Sequence, residues 1–190
     1  LVYGEQMRPL FIQRGDGATA RFDGLHFAES LEVDGKNRAA NDYLRTTTLS
    51  EGPSYDVAWE EFAQGLQKQC AGIVRLLEVR GLDSLCPDFA RIERIRLRYA
   101  YAQPMLVYEM GHRMMTGDTT FRVGPALTDS VRKLVVVREE LADVPEYRDF
   151  LRFGIPLLLQ DEGVAIENSY DRTVATMRYI GERFPDGRVK

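Results

Sequence analysis

The sequence predicts a mainly α-helical protein: about five helices packed around a central kinked helix at about 87–116, with an N-terminal β-hairpin or extended arm. Three observations carry this. Apolar residues recur at three- and four-residue steps from Trp59 to Leu77, the period of a helix face. A long segment from Pro87 turns from amphipathic to almost wholly apolar, with Pro104 inside it. Two Asp-Gly pairs, at 23–24 and 34–35, punctuate alternating apolar residues near the N-terminus, a tight-hairpin signal because both turn residues need φ > 0.

The 190 residues suit one globular unit, divided as an arm at 1–40 and a helical domain at 41–190. Nine Phe, nine Tyr and one Trp suffice for a sizeable core. A net charge of −4 repels phosphate backbones, which argues against sequence-independent nucleic-acid binding. No apolar run approaches the ~18 residues of a membrane span. The N-terminus L-V-Y-G-E-Q-M-R lacks the charged and apolar blocks of a signal peptide. It also lacks an initiator Met, so the chain reads as processed or trimmed and an earlier leader stays open. Cys70 falls on the apolar stripe of a helix and Cys86 in the loop beyond. About ten residues of helix rise roughly 15 Å, whereas bridged Cα atoms lie ~6 Å apart. Free thiols and a cytoplasmic setting are therefore the expectation.

In chain order, Pro9 precedes a short strand, L-F-I-Q, and the turn R-G-D-G-A. T-A-R-F and L-H-F then flank Asp23-Gly24 as a hairpin, and Asp34-Gly35 closes a second alternation at Leu31 and Val33. Residues 36–53 are polar and read as a connector, with one helical turn near Ala39 to Leu44. Ser54 caps a first helix at about 55–79, with acids at its start, bases in its later turns and Gly81 as its stop. The second helix begins at Pro87. Phe89, Ile92, Ile95 and Tyr99 face inward, and the segment beyond Ala100 is apolar nearly all round, hence buried. Pro104 removes a backbone bond and kinks it. A third helix is expected at about 126–142, although its L-V-V-V run is β-prone. A fourth at about 145–160 is broken or bent by Gly154 and Pro156. The last, at about 161–184, stops at Phe184-Pro-Asp-Gly before a polar tail.

Four features could carry chemistry. Glu109 and His112 form Glu-x-x-His in the buried half of the central helix, on one helical face and a single turn apart. Ferritin-like bundles hold iron or manganese with this unit. A second such unit is missing, because the only other histidine is His26. A buried Glu109 bonded to an arginine or tyrosine is the simpler expectation. Asp23 and His26 form Asp-x-x-His with no nucleophile block upstream, so they read as a turn acid and a strand histidine. Arg91, Arg94 and Arg98 make a basic stripe able to clamp an anionic ligand or an acidic partner. They are equally suited to ion pairs with some of the 29 acids. Arg14-Gly15-Asp16 reads as a turn rather than an adhesion tripeptide. Met105, Met110, Met114 and Met115, with Tyr99, Tyr101 and Tyr108, are core filler or the lining of an apolar pocket at Pro104.

No complete catalytic set, phosphate loop or zinc cysteine set is present. The leading expectation is a non-enzymatic binding or assembly protein with no cofactor. It would self-associate or dock a protein partner through the arm and a helical face. A metalloprotein or other enzyme centred on Glu109 and His112 comes second, and a small-ligand sensor with a pocket near Pro104 third. Tyr108 joins the three arginines as a candidate ligand or partner contact.

Overall fold

In the computed structural model, helices dominate the chain behind a small N-terminal hairpin. Residues 1–136 and 138–183 are described; the stop expected at Phe184 and the tail beyond it lie outside the described residues. Two compact units emerge. Residues 1–51 with 72–94 form one, and 52–71 with the described residues from 95 onward form the other.

The first unit opens with β1 (Val2–Tyr3) paired antiparallel to β2 (Gln6–Met7). β3 (Ala18–Arg21) pairs with β4 (Glu32–Gly35), with Ala18 opposite Gly35 and Arg21 opposite Glu32. This corrects the expected hairpin around Asp23-Gly24. The 25–27 segment is not a strand; it leads into a helical turn, α1 (Phe27–Ser30). Phe27 is drawn into a small core with Leu31 and Val33, and burying that ring outweighs strand pairing. Asp23 instead accepts the Leu25 amide at 2.9 Å, and Ser30 Oγ accepts the Asp23 amide at 2.8 Å. Asp34-Gly35 ends a strand rather than forming a turn centre. Gly35 has φ +134° and approaches the Gly17 carbonyl so closely that a Cβ would lie 2.5 Å from it, so only glycine fits.

The polar connector holds a longer helix than expected, α2 (Arg38–Thr46). Its buried Asn41 accepts the Phe11 amide at 2.9 Å and donates to the Phe11 and Asn37 carbonyls, both at 3.1 Å. One side chain thus satisfies the backbone of an extended segment that has no strand partner. α3 (Trp59–Val79) starts four residues later than predicted and contributes its last turns to this unit. Gly81, at φ +66°, turns the chain into α4 (Leu82–Leu85). Cys86 is buried, Cys70 half-buried, and neither is bridged. α5 (Pro87–Ala100) begins at its proline as expected. Phe89 lies edge-on to Phe11 and Tyr43, at 5.1 and 5.6 Å between centroids.

In the second unit, Phe62 and Leu66 of α3 are fully buried, as the stripe predicts. The central helix kinks by breaking. After α5 the backbone tightens to i→i−3 bonds, Ala102 to Tyr99 and Met105 to Ala102, both 3.1 Å. A 3-10 turn (Gln103–Val107) then leads into α6 (Tyr108–Thr116). Pro104 has no N–H to continue the ladder, which is the physical cause. Of the inward face expected for α5, Phe89 and Tyr99 are buried, and the buried face is wider than expected. Ala90, Glu93 and Leu97 are buried, while Ile92 and Ile95 are half-buried. The segment beyond Ala100 is not buried all round either, since Val107, Met110, Met114 and Met115 are exposed. α6 stops at Gly117, φ +77°.

α7 (Pro125–Arg132) ends where the β-prone run begins, ten residues short of expectation. Beyond it, Tyr99 donates to the Leu134 carbonyl at 3.2 Å and Tyr147 to the Val136 carbonyl at 2.9 Å. A 3-10 turn (Glu139–Leu141) precedes α8 (Pro145–Asp161). α8 runs through Gly154 and Pro156 unbroken. Phe150, Leu151, Ile155 and Leu158 are all buried along it, and that packing exceeds the ~3 kcal/mol an interior proline costs. A Cβ on Gly154 would come within 3.2 Å of Val135. α9 (Ser169–Arg183) begins eight residues later than predicted and packs on α8. Among the described residues no helix is long and apolar enough to cross a membrane.

Candidate functional site

α6 places the two residues of the Glu-x-x-His unit in different surroundings. Its first turn follows the Pro104 break, which seats Tyr108 in a ring of aromatics. Phe62 lies 4.6 Å from it between centroids and Trp59 5.2 Å. Tyr108 is fully buried and donates to the Val57 carbonyl at 2.5 Å. Burial, with a lesser push from the Glu60 charge, raises its pKa above the ordinary tyrosine range. Tyr108, a candidate ligand or partner contact that the sequence also offered as core filler, is therefore part of the core.

One turn later His112 points Nδ1 at the Tyr55 carbonyl, 2.7 Å away. A carbonyl only accepts, so Nδ1 carries the proton in this geometry. The imidazole stacks on Phe121 at 3.8 Å between centroids, 28° from parallel. The ring is thus gripped on one face and through one nitrogen.

Glu109 is half-buried, with its side chain 24% exposed. Oε1 accepts the Val123 amide at 2.9 Å, and Oε2 lies 3.1 Å from Arg113 Nη2 and 3.8 Å from Arg122 Nε. Arg113 Nε also donates to the Phe121 carbonyl at 2.9 Å. The carboxylate ties the 117–124 loop to α6, which holds Phe121 over His112. Among the described residues, no cluster of three or more His, Cys, Asp or Glu is placed to hold a metal.

The arginine stripe is not gathered into a clamp. Arg94 forms a two-pronged bond to Asp83, at 2.7 and 2.8 Å. That bond holds the Asp83 carboxyl below its usual pKa range. Arg91 and Arg98 are exposed and have no hydrogen bond or ion pair among the described residues. His26 is exposed. Asp16 of Arg14-Gly15-Asp16 is turned inward to Asn37 Nδ2 at 2.5 Å and Lys36 Nζ at 3.5 Å.

Several large apolar side chains also stand outward. In the arm, Leu25 is 86% exposed and Met7 75%, with Val2 and Ile12 also uncovered. α6 adds Met110, Met114 and Met115, and α9 adds Tyr170 and Met177. Single exposed apolar residues are ordinary; here several fall on the arm, several on α6 and several on α9. The sequence signal for this was available in the alternation of the arm. Glu93, a buried carboxylate, was hidden inside an arginine-rich run that looked exposed. No family model, curated protein or solved structure matches the chain.

Proposed function

We propose that the chain is a non-enzymatic assembly protein that joins a second copy of itself through its N-terminal arm and a helical face. The observation that carries this reading is the arm itself: β1 and β2 are exposed along their whole length, Val2 and Met7 among them, and Ile12 and Leu25 further along the arm are uncovered too. A two-residue ladder is marginal in water, and free strand edges invite pairing. Antiparallel edge pairing is self-complementary under two-fold symmetry, which favours a second copy as the occupant. The test is the solution mass of the full chain by light scattering, with Met7→Asp and Leu25→Asp as variants. Neither residue is in the core, so both variants keep the fold, whereas deleting 1–40 would remove Phe27, Leu31 and Val33. The expected result is an oligomer that dissociates in both variants. A monomeric wild type, or an oligomer that neither substitution weakens, contradicts the reading.

A further inference from the structure

α9 is the one long helix among the described residues for which no buried residue is found. Its inner side, Ala175, Thr176, Tyr179 and Ile180, is half-buried, and α8 is its contact. About half a turn away lies a second apolar stripe, Tyr170, Val174, Met177 and Gly181. Tyr170 is 74% and Met177 67% exposed, and Val174 and Gly181 are also uncovered. The spacing is four, three, four, the seam of a two-helix coiled coil. Gly181 stands in the last turn of the helix, and nothing among the described residues lies within 4 Å of where a Cβ would be. Glycine weakens a helix relative to alanine, and packing among the described residues does not require it.

We infer that this stripe packs antiparallel against α9 of a second copy. The inference rests on the assembly reading above and names its helical face. Two features of the stripe select the occupant and the orientation. With the dyad between Val174 and Met177, Val174 faces Met177 of the second copy and Tyr170 faces its Gly181. The largest side chain then meets the position with none, which lets the helices approach closely. Charge agrees. Asp171 and Arg178 flank the same edge of the stripe, and neither has an ion pair among the described residues. In the antiparallel arrangement Asp171 of each copy comes beside Arg178 of the other, twice over. A parallel pair would set Tyr170 against Tyr170 and leave both charges without a mate.

The experiment is sedimentation velocity on the full chain with Met177→Asp, Gly181→Leu and Arg178→Glu, each checked by thermal melting. Met177→Asp and Gly181→Leu are expected to weaken self-association at least tenfold. Gly181→Leu does so while leaving the melting temperature equal or higher, because leucine is the better helix former. Arg178→Glu weakens it about fivefold to tenfold, an effect that fades with salt. Mixed Val174→Cys and Met177→Cys chains cross-link to one another on oxidation, more than either chain does alone. Unchanged association in Met177→Asp and Gly181→Leu overturns the α9 pairing; if Leu25→Asp still dissociates the oligomer, the arm reading stands without it. Loss in the α9 variants alone keeps the pairing and removes the arm. A wild type monomeric at every concentration removes both. Val174→Cys chains that cross-link to themselves in preference overturn the antiparallel orientation.

Discussion

Glu109 and Arg113 sit one turn apart on α6 and pair at 3.1 Å, with the other carboxylate oxygen on the Val123 amide at 2.9 Å. The acid that looked most in need of a metal is satisfied by its own helix and by the loop that follows. Its role is to close residues 117–124 onto α6. Glu109→Ala removes both bonds. A hydrogen bond to a charged group contributes ~1.5–3 kcal/mol, discounted here because the site is partly exposed. We expect a loss of about 1–2 kcal/mol in urea unfolding, with faster hydrogen exchange at the Val123 amide. Glu109→Gln keeps an acceptor for that amide and should lose about half as much. No change in exchange at Val123 would refute the tether.

Asn41 makes the analogous tie in the first unit. Asn41→Ala strands the Phe11 N–H and C=O, which have no strand partner to fall back on. Leaving such groups unpaired costs ~1–3 kcal/mol each when buried, less where water enters. The expected loss is about 2–3 kcal/mol in denaturant titration. A value below about 0.5 kcal/mol would mean the extended segment is not held this way.

Gly111 on α6 lies against Tyr55. A Cβ there would fall 2.6 Å from the ring. Alanine is favoured over glycine in a helix by about 1 kcal/mol, yet overpacking costs about 1–3 kcal/mol. Gly111→Ala should therefore lower the melting temperature. A rise would show that the ring moves freely aside.

Burial raises the pKa of Tyr99, Tyr108 and Tyr147. The sign follows from linkage. The folded state holds these protons to a higher pH than the unfolded chain, whose tyrosines release theirs near pH ~10. Stability is therefore full below about pH 10 and falls as pH rises beyond it. Tyr108→Phe should flatten that alkaline decline, and at neutral pH it should cost about 1 kcal/mol for the lost bond to Val57. An equally steep decline in Tyr108→Phe would contradict the assignment.

Much of the helical layout was legible because it depends on local rules. The stripe from Trp59 to Leu77, the start at Pro87 and the stops at Gly81 and Gly117 follow from period and backbone geometry alone. The misses share a cause in tertiary context. Phe27 left the expected strand because a core formed with Leu31 and Val33, seven and nine residues past the turn that seemed to organise it. The third helix ended at Arg132 because Tyr99 and Tyr147 capture the backbone of the following apolar run. α8 kept its proline because four buried side chains hold it in place. At the candidate site, the three-residue spacing of Glu109 and His112 drew attention, while the four-residue spacing of Glu109 and Arg113 carried the interaction. The exposed methionines of α6 read as core because composition alone does not tell an uncovered apolar face from a covered one.

The central claim is association through the arm. Its most direct measurement is sedimentation equilibrium of the wild-type chain beside Leu25→Asp across a wide concentration range. The account predicts a wild-type mass that climbs from one copy to two as concentration rises, and a variant that stays at one copy where the wild type has paired. One copy at every concentration for both, or identical curves for the two proteins, would contradict it.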